Sequence, residues 1–160
     1  MFDFSGQVVA ITGAARGIGL ATARAFARAG AHVALMDLDG PAVHEAARTL
    51  RAEFKDVSQR IEGLELDVTQ PVSVRSGVDA VARWHDRLDV MINNAGTALR
   101  RPTLELTLEE WNQVMEVNLT GVFLCAQAAG RHMVNARRGC IINTASIMGL
   151  SGGGLYPNIS

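Results

Sequence analysis

The sequence predicts an α/β fold with a doubly wound, mostly parallel sheet, and two observations carry that prediction. Short apolar, β-prone runs alternate with longer helix-forming stretches along the whole chain, the pattern of a parallel sheet covered by helices on both faces. The first such run, Val8-Val9-Ala10-Ile11, breaks into a glycine-rich turn that opens directly into a helix. Strands are expected at 7–12, 32–36, 61–66, 89–92 and 139–145, and helices at 17–29, 40–54, 71–86, 107–116 and 118–135. Right-handed crossovers then favour the strand order 3-2-1-4-5, with ligands at the carboxyl ends of the strands where the order reverses. No internal repeat, low-complexity tract or linker divides residues 1–160, so they read as one domain.

The turn is Thr12-Gly13-Ala14-Ala15-Arg16-Gly17-Ile18-Gly19. Glycines allow a tight turn and close approach of a bound group, and the helix that follows aims free N–H groups and its positive dipole end at that spot. Strand, glycine turn and helix in that order make a nucleotide site, and the absence of a following Gly-Lys-Ser/Thr disfavours a P-loop. The second strand ends at Asp37, 18 positions past Gly19. A carboxylate there accepts hydrogen bonds from the adenosine ribose hydroxyls and repels a 2′-phosphate, which favours NAD over NADP; a solvated strand end or a cap for the next helix is the plain alternative. Arg16 could reach a 2′-phosphate, but beside Asp37 it is expected to point into solvent.

The spacing G-x-x-x-G-x-G after Thr12 resembles the short-chain dehydrogenase/reductase family, and Asn93-Asn94-Ala95-Gly96 matches a second signature of that family without change. The resemblance implies a Rossmann sheet and reversible hydride transfer between a nicotinamide cofactor and a secondary alcohol or ketone. It assigns Thr12, Gly13, Arg16, Gly17, Ile18 and Gly19 to the cofactor turn, and Asn93, Ala95 and Gly96 to a turn that flanks the cofactor and steadies the central strand. It lays Asp67 and Val68 along the adenine; read alone, Asp67 before Pro71 is a helix cap. Asn118, inside an apolar helical run, matches the asparagine that holds a water in a proton relay, and as a buried amide it needs hydrogen-bond partners in any case. Ser146, at the end of the strand Cys140-Ile141-Ile142-Asn143-Thr144-Ala145, matches the catalytic serine that hydrogen-bonds the substrate oxygen; a lone serine there is otherwise a turn residue.

The resemblance breaks at the acid/base pair Tyr-x-x-x-Lys. Tyr156 is the single tyrosine, Ser160 stands four places on, and the single lysine is Lys55 in a predicted surface helix. Pro157 also argues against a helix starting at Tyr156, so that residue is expected to pack in a substrate-side loop. The sequence therefore looks like the N-terminal part of such an enzyme, truncated at five strands, and inactive by itself. The rival readings are a non-catalytic dinucleotide-binding fragment or sensor, and a methyltransferase, which leaves the Asn93–Gly96 run and Asn118 unexplained.

Composition closes off other classes. A net charge of −1 with 48% apolar residues gives no electrostatic case for nucleic acid or an anionic membrane. The N-terminus lacks a basic region, and no apolar window approaches the ~18 residues of a membrane helix. Cys125 and Cys140 are expected as buried thiols in a reducing, cytoplasmic compartment, and the four histidines lack metal-ligand spacing. Partners are expected to be a small alcohol or ketone and, for a complete chain, further copies in a dimer or tetramer. The apolar residues of the helix at 118–135, Val122, Phe123, Cys125, Ala126 and Ala129, exceed one buried stripe.

Overall fold

The computed structural model describes residues 2–54, 58–147 and 158–159. Five parallel strands form the central sheet: β1 (Val8–Thr12), β2 (His32–Asp37), β3 (Ile61–Glu65), β4 (Val90–Asn93) and, after a two-residue strand β5 (Leu99–Arg100), β6 (Cys140–Asn143). Their order, β3-β2-β1-β4-β6, is the doubly wound order expected from the sequence, with β6 as the expected fifth strand. β5 and β7 (Asn158–Ile159) make a short antiparallel pair that the sequence did not announce.

Side-chain alternation along the strands builds a core on each face. Val9, Ile11, Val33, Leu35, Val90 and Ile92 point to one face. There they pack with Ala23 and Ala27 of α1 (Gly17–Arg28) and with Val43 and Leu50 of α2 (Gly40–Glu53). Their neighbours Val8, Ala10, Ala34, Met36 and Met91 point to the other face. These meet Val74, Val78 and Val81 of α3 (Pro71–Ala82) and the inner residues Cys125, Ala129 and Met133 of the last long helix. Burying each Val, Leu or Ile side chain contributes about 1.5–3 kcal/mol, so a sheet apolar on both faces is held from both sides.

Three elements differ from expectation. The stretch expected as two helices with a break at Val117 is continuous: α4 (Leu108–Met115), a π turn (Glu116–Thr120) and α5 (Gly121–Ala136). A π turn adds a residue to the helix without interrupting it, and such turns gather at functional sites. The start of α4 follows the sequence: the Thr107 side chain accepts from Glu110 N–H, and the Glu110 carboxylate accepts from Thr107 N–H. Second, α3 stops at Ala82 rather than 86, because Trp84 turns inward to 4% exposure and the chain reverses through left-handed His85 (φ 53) and Asp86 (φ 51). Third, only Cys125 is a buried thiol, its ionisation pushed up to about 12 by burial; Cys140 is exposed on β6. A parallel strand reaches burial through the elements beside it, and among the described residues β6 is paired along one side only, by β4. Lys55 and Tyr156 lie outside the described residues.

Candidate cofactor and active site

The candidate cofactor and catalytic residues named from the sequence, from Thr12 to Ser146, stand at the carboxyl ends of the parallel strands or on the helical elements that follow them. The centre is Thr12, the last residue of β1 and 2% exposed. Its hydroxyl oxygen accepts the backbone N–H groups of Asn94 and Ala95, both at 3.0 Å, and lies 3.5 Å from the Ile92 carbonyl oxygen it can donate to. The Asn94 side-chain amide returns the connection, donating to the carbonyls of Thr12 (3.1 Å) and Gly13 (3.2 Å). The glycine turn after β1 and the turn after β4 are thus stitched together. Gly13 sits at φ +65, and a Cβ there would lie 2.8 Å from Ala95 Cα, so this seam admits only glycine.

Asp37 supports the same turn from β2. One carboxylate oxygen accepts Ala15 N–H at 3.0 Å and the other accepts Asp39 N–H at 3.2 Å. Asp39, not Asp37, caps α2, accepting from Ala42 N–H at 3.0 Å. Gly17 opens α1 at φ +58 with nothing within 4 Å of where its Cβ would be. Arg16, the N-cap, makes no side-chain cap and is exposed, as is Ile18, while Gly19 is buried against Gly13 and Ala14. The first turn of α1 therefore presents uncapped N–H groups, with no acidic side chain, toward open space. A free helix N-terminus of this kind could hold a dinucleotide's pyrophosphate.

Asp67 is not the cap of α3; Gln70 holds that position. One Asp67 carboxylate oxygen accepts the N–H (2.9 Å) and hydroxyl (2.8 Å) of Thr69, folding the strand end into a tight local turn. Val68, 8% exposed, packs on Gly121, where a Cβ would come within 2.9 Å of its Cγ2, and so ties the end of β3 to the start of α5.

Asn93 and Asn143 are register partners on β4 and β6, and the Asn93 amide donates to Asn143 Oδ1 at 2.8 Å. Asn118 lies in the π turn. Its Oδ1 accepts Thr97 N–H and its Nδ2 donates to the Thr97 carbonyl, both at 2.8 Å. Both ends of the amide are thus engaged with one backbone residue, which pins the loop after Gly96. A cleft of about 590 Å³ opens here, between the loop from Asn94 to Ala98 and the stretch Asn143–Ser146, with Asn118 and Val122 on its helical side.

The cleft brings together Ala95, Gly96, Asn118 and Ser146. The residues Gly13–Gly19 and Asp37 form the neighbouring mouth over β1 and β2, and Asp67 and Val68 stand at the end of β3. Sequence reasoning gave no site role to Asn94, Asn143 or Thr97. The adjacent amides of Asn93-Asn94 and the polar Asn143 in an apolar strand were the available signals; Thr97 contributes only backbone and left none.

A model of the short chain dehydrogenase family matches residues 7–158. The chain belongs to that family. It is 41% identical over 147 residues to D-threitol dehydrogenase of Mycolicibacterium smegmatis, a match covering 91% of this chain and 55% of that protein. Cyclopentanol dehydrogenase of Comamonas sp. is 38% identical, with 91% and 57% covered, and NAD-dependent glycerol dehydrogenase of Listeria innocua is 34% identical, with 91% and 54% covered. A short-chain type dehydrogenase/reductase of Mycobacterium marinum superposes with a TM-score of 0.91 at 37% identity, covering 98% of this chain and 61% of that one. The chain thus spans a little over half the length of these short-chain dehydrogenases. Among the described residues no helix is long and apolar enough to cross a membrane, and no group of three or more His, Cys, Asp or Glu side chains could hold a metal ion.

Proposed function

We propose that these residues form the cofactor half of an NAD-dependent alcohol dehydrogenase that interconverts a small secondary alcohol and its ketone. The observation that carries this reading is the seam of Thr12, Gly13, Asn94 and Ala95, which fixes an uncapped helix N-terminus beside a cleft containing Ser146. The bound dinucleotide would supply the hydride acceptor or donor. The N–H groups at Gly17–Gly19 would hold its pyrophosphate, Asp37 its adenosine ribose, and Asp67 and Val68 its adenine, while Asn93, Ala95 and Gly96 would flank its course toward the cleft. Ser146 would donate a hydrogen bond to the substrate oxygen and fix the carbinol carbon for hydride transfer.

Asn118 supports proton movement less directly than the family resemblance implies. With its side-chain amide engaged by Thr97, a water at this place would rest on main-chain carbonyls of the π turn, whose hydrogen-bond register is displaced. Asp37 supports NAD over NADP, because a carboxylate held at the end of β2 would meet the adenosine ribose and repel a 2′-phosphate, while Arg16 is exposed. The relatives named for polyols and cyclic alcohols support a small hydroxylated substrate. Leu119 (59% exposed) and Phe123 (57% exposed) on the long helix support a homo-oligomer of the complete protein.

A second reading, dinucleotide binding without turnover, is favoured for the 160 residues alone by the absence of a tyrosine–lysine pair at the family's spacing. General acid–base catalysis contributes about 10²–10⁴-fold, so these residues alone are expected to bind cofactor and turn over negligibly. Fluorescence titration with NADH and NADPH tests the first step. Tighter NADH binding, with the gap narrowed by Asp37→Ala, is expected; tighter NADPH binding would refute the assignment of Asp37.

A further inference from the structure

Asn93 closes β4 and Asn143 closes β6, and as register partners they stand side by side where β6 enters the cleft that contains Ser146. Asn93 holds two consecutive residues at that point. Its side-chain Nδ2 donates to Asn143 Oδ1 at 2.8 Å, and its carbonyl accepts Thr144 N–H at 2.9 Å. The next residue, Asn94, is bonded to Thr12 and Gly13 through its N–H and its side-chain amide. One line of ties therefore crosses the strand ends from the glycine turn after β1, through β4, to Thr144, two residues before Ser146. Among the described residues β6 pairs with β4 alone, so the height of its end is set from that side.

Stability does not account for an amide pair at this place. Asn93 is buried, and its Oδ1 is the one buried side-chain polar atom without a hydrogen-bond partner among the described residues. The void that Asn93 shares with Thr12, Val117 and Gly121 has no room for a water molecule to serve it. An orphaned buried acceptor is a cost to the fold, and two apolar side chains of the same shape would avoid it. What an apolar pair lacks is direction. Apolar contact tolerates sliding, whereas a hydrogen bond weakens steeply once its distance and angle depart from the optimum. The amide pair therefore fixes the height of one strand end against the other.

We infer that Asn93 and Asn143 are positioning residues: their amide bond sets the height of Ser146 over the turn Asn94–Gly96, and with it the width of the cleft where nicotinamide and substrate oxygen would meet. This role rests on the dinucleotide function proposed for the cleft. It is confined to the nicotinamide end. The residues assigned to pyrophosphate and adenosine, Gly17–Gly19 and Asp37, stand at the ends of β1 and β2 and do not depend on the pair.

The test compares NADH with ADP-ribose, which has the same adenosine and pyrophosphate but no nicotinamide, in calorimetric titrations of the chain. In Asn143→Ala the affinity for NADH is expected to fall about threefold to tenfold, the range of one neutral hydrogen bond, while that for ADP-ribose stays within about twofold. Asn143→Asp keeps an acceptor for Asn93 Nδ2 and should restore NADH binding. The double variant Asn93→Leu/Asn143→Leu separates position from stability. It is expected to unfold at no lower urea concentration than the wild type, because the orphaned acceptor is gone, yet to show the same selective loss of NADH. A lowered urea midpoint in the double variant, equal weakening of both ligands, NADH affinity retained in Asn143→Ala or in the double variant, or no recovery in Asn143→Asp would overturn the inference and leave the dinucleotide function standing. Failure of ADP-ribose to bind the wild-type chain would overturn both.

Discussion

The two ends of the central sheet are fastened by different chemistry. At the carboxyl ends of the strands the ties are mostly neutral: the Thr12 hydroxyl, the Asn94 amide, the Asn93–Asn143 pair and the Asn118 clamp on Thr97. At the amino ends they are charged or titratable. Asp89, just before β4, accepts Val8 N–H at 2.8 Å and a bidentate fork from Arg87, with both contacts at 2.7 Å, and Arg138 lies 3.8 Å away. Beside it, at the start of β2, the His32 ring stacks on His85 with centroids 4.2 Å apart, and its Nδ1 accepts Arg60 N–H. The difference has a functional sense. On the proposed function, an end that would receive a multiply charged cofactor and manage a substrate proton would keep its geometry independent of pH when amides and hydroxyls hold it. The end remote from that chemistry is free to use charge.

The largest effect is expected where charge is most deeply buried. Asp89→Ala would leave Arg87 with no partner at this site and bury Val8 N–H unsatisfied. Breaking such a pair costs about 3 kcal/mol, toward the low end because Arg87 is 28% exposed. A urea melt reads this as a lowered midpoint at unchanged slope. Acid provides a second reading of the same group. Burial pushes the Asp89 carboxyl up, but Arg87, Val8 N–H and Arg138 outweigh it and hold the group below its usual range. Its contribution is fully present above the unfolded value of about 3.9 and is lost as pH falls through the lower folded value. Wild-type stability should therefore fall in that acid range more steeply than that of Asp89→Ala. Parallel curves would show that the amino-end charges do not hold the sheet.

The same division explains how much was legible in the sequence. Strand order and the helices came through because alternating apolar runs report burial on two faces. The glycine turn came through because Gly13 and Gly17 occupy left-handed backbone that few other residues accept. The neutral ties were half legible. Asn93 and Asn118 stood out as polar residues in apolar runs, but Asn94 bonds to residues 81 and 82 positions away, and no local pattern encodes such a partner. The charged end was not legible at all. Asp89 read as the first residue of the expected strand 89–92, and its partner Val8 N–H is 81 positions distant. The π turn was missed because Val117 and Asn118 break helical periodicity in the same way that an ordinary helix boundary does.

A smaller effect is expected at the neutral end. Thr12→Val keeps the shape but leaves the N–H groups of Asn94 and Ala95 without their acceptor, at a cost of about 2 kcal/mol. The comparison predicts a signature beyond stability: because the seam contains no titrating group, the loss should be the same at pH 5 and pH 8. Thr12→Ser restores the oxygen and should recover most of it. A loss that varied with pH would mean that the carboxyl end depends on charge after all.

The smallest effect belongs to the histidine stack. Desolvation lowers the His32 pKa first of all, helped by His85 and then by Arg60 and Arg87. Its Nδ1 serves as an acceptor for Arg60 N–H, a role that only the neutral ring can play. A histidine with a depressed folded value binds its proton more readily when unfolded. Its stabilising contribution is therefore complete above the unfolded value of about 6.5 and is lost as pH falls from there through the folded value. Stability should thus decline between about pH 7 and 5, before the carboxylates begin to titrate. His32→Gln keeps a polar side chain of similar reach without titrating, and should flatten the decline while leaving the steeper acid limb of Asp89 intact. His85→Ala separates the stack from the hydrogen bond. It removes the neighbouring ring but leaves Arg60 N–H aimed at His32, so a decline that survives in His85→Ala and vanishes in His32→Gln assigns the effect to the acceptor role. A decline unchanged in both variants would place the titrating group elsewhere and break the contrast between the two ends of the sheet at its weaker point.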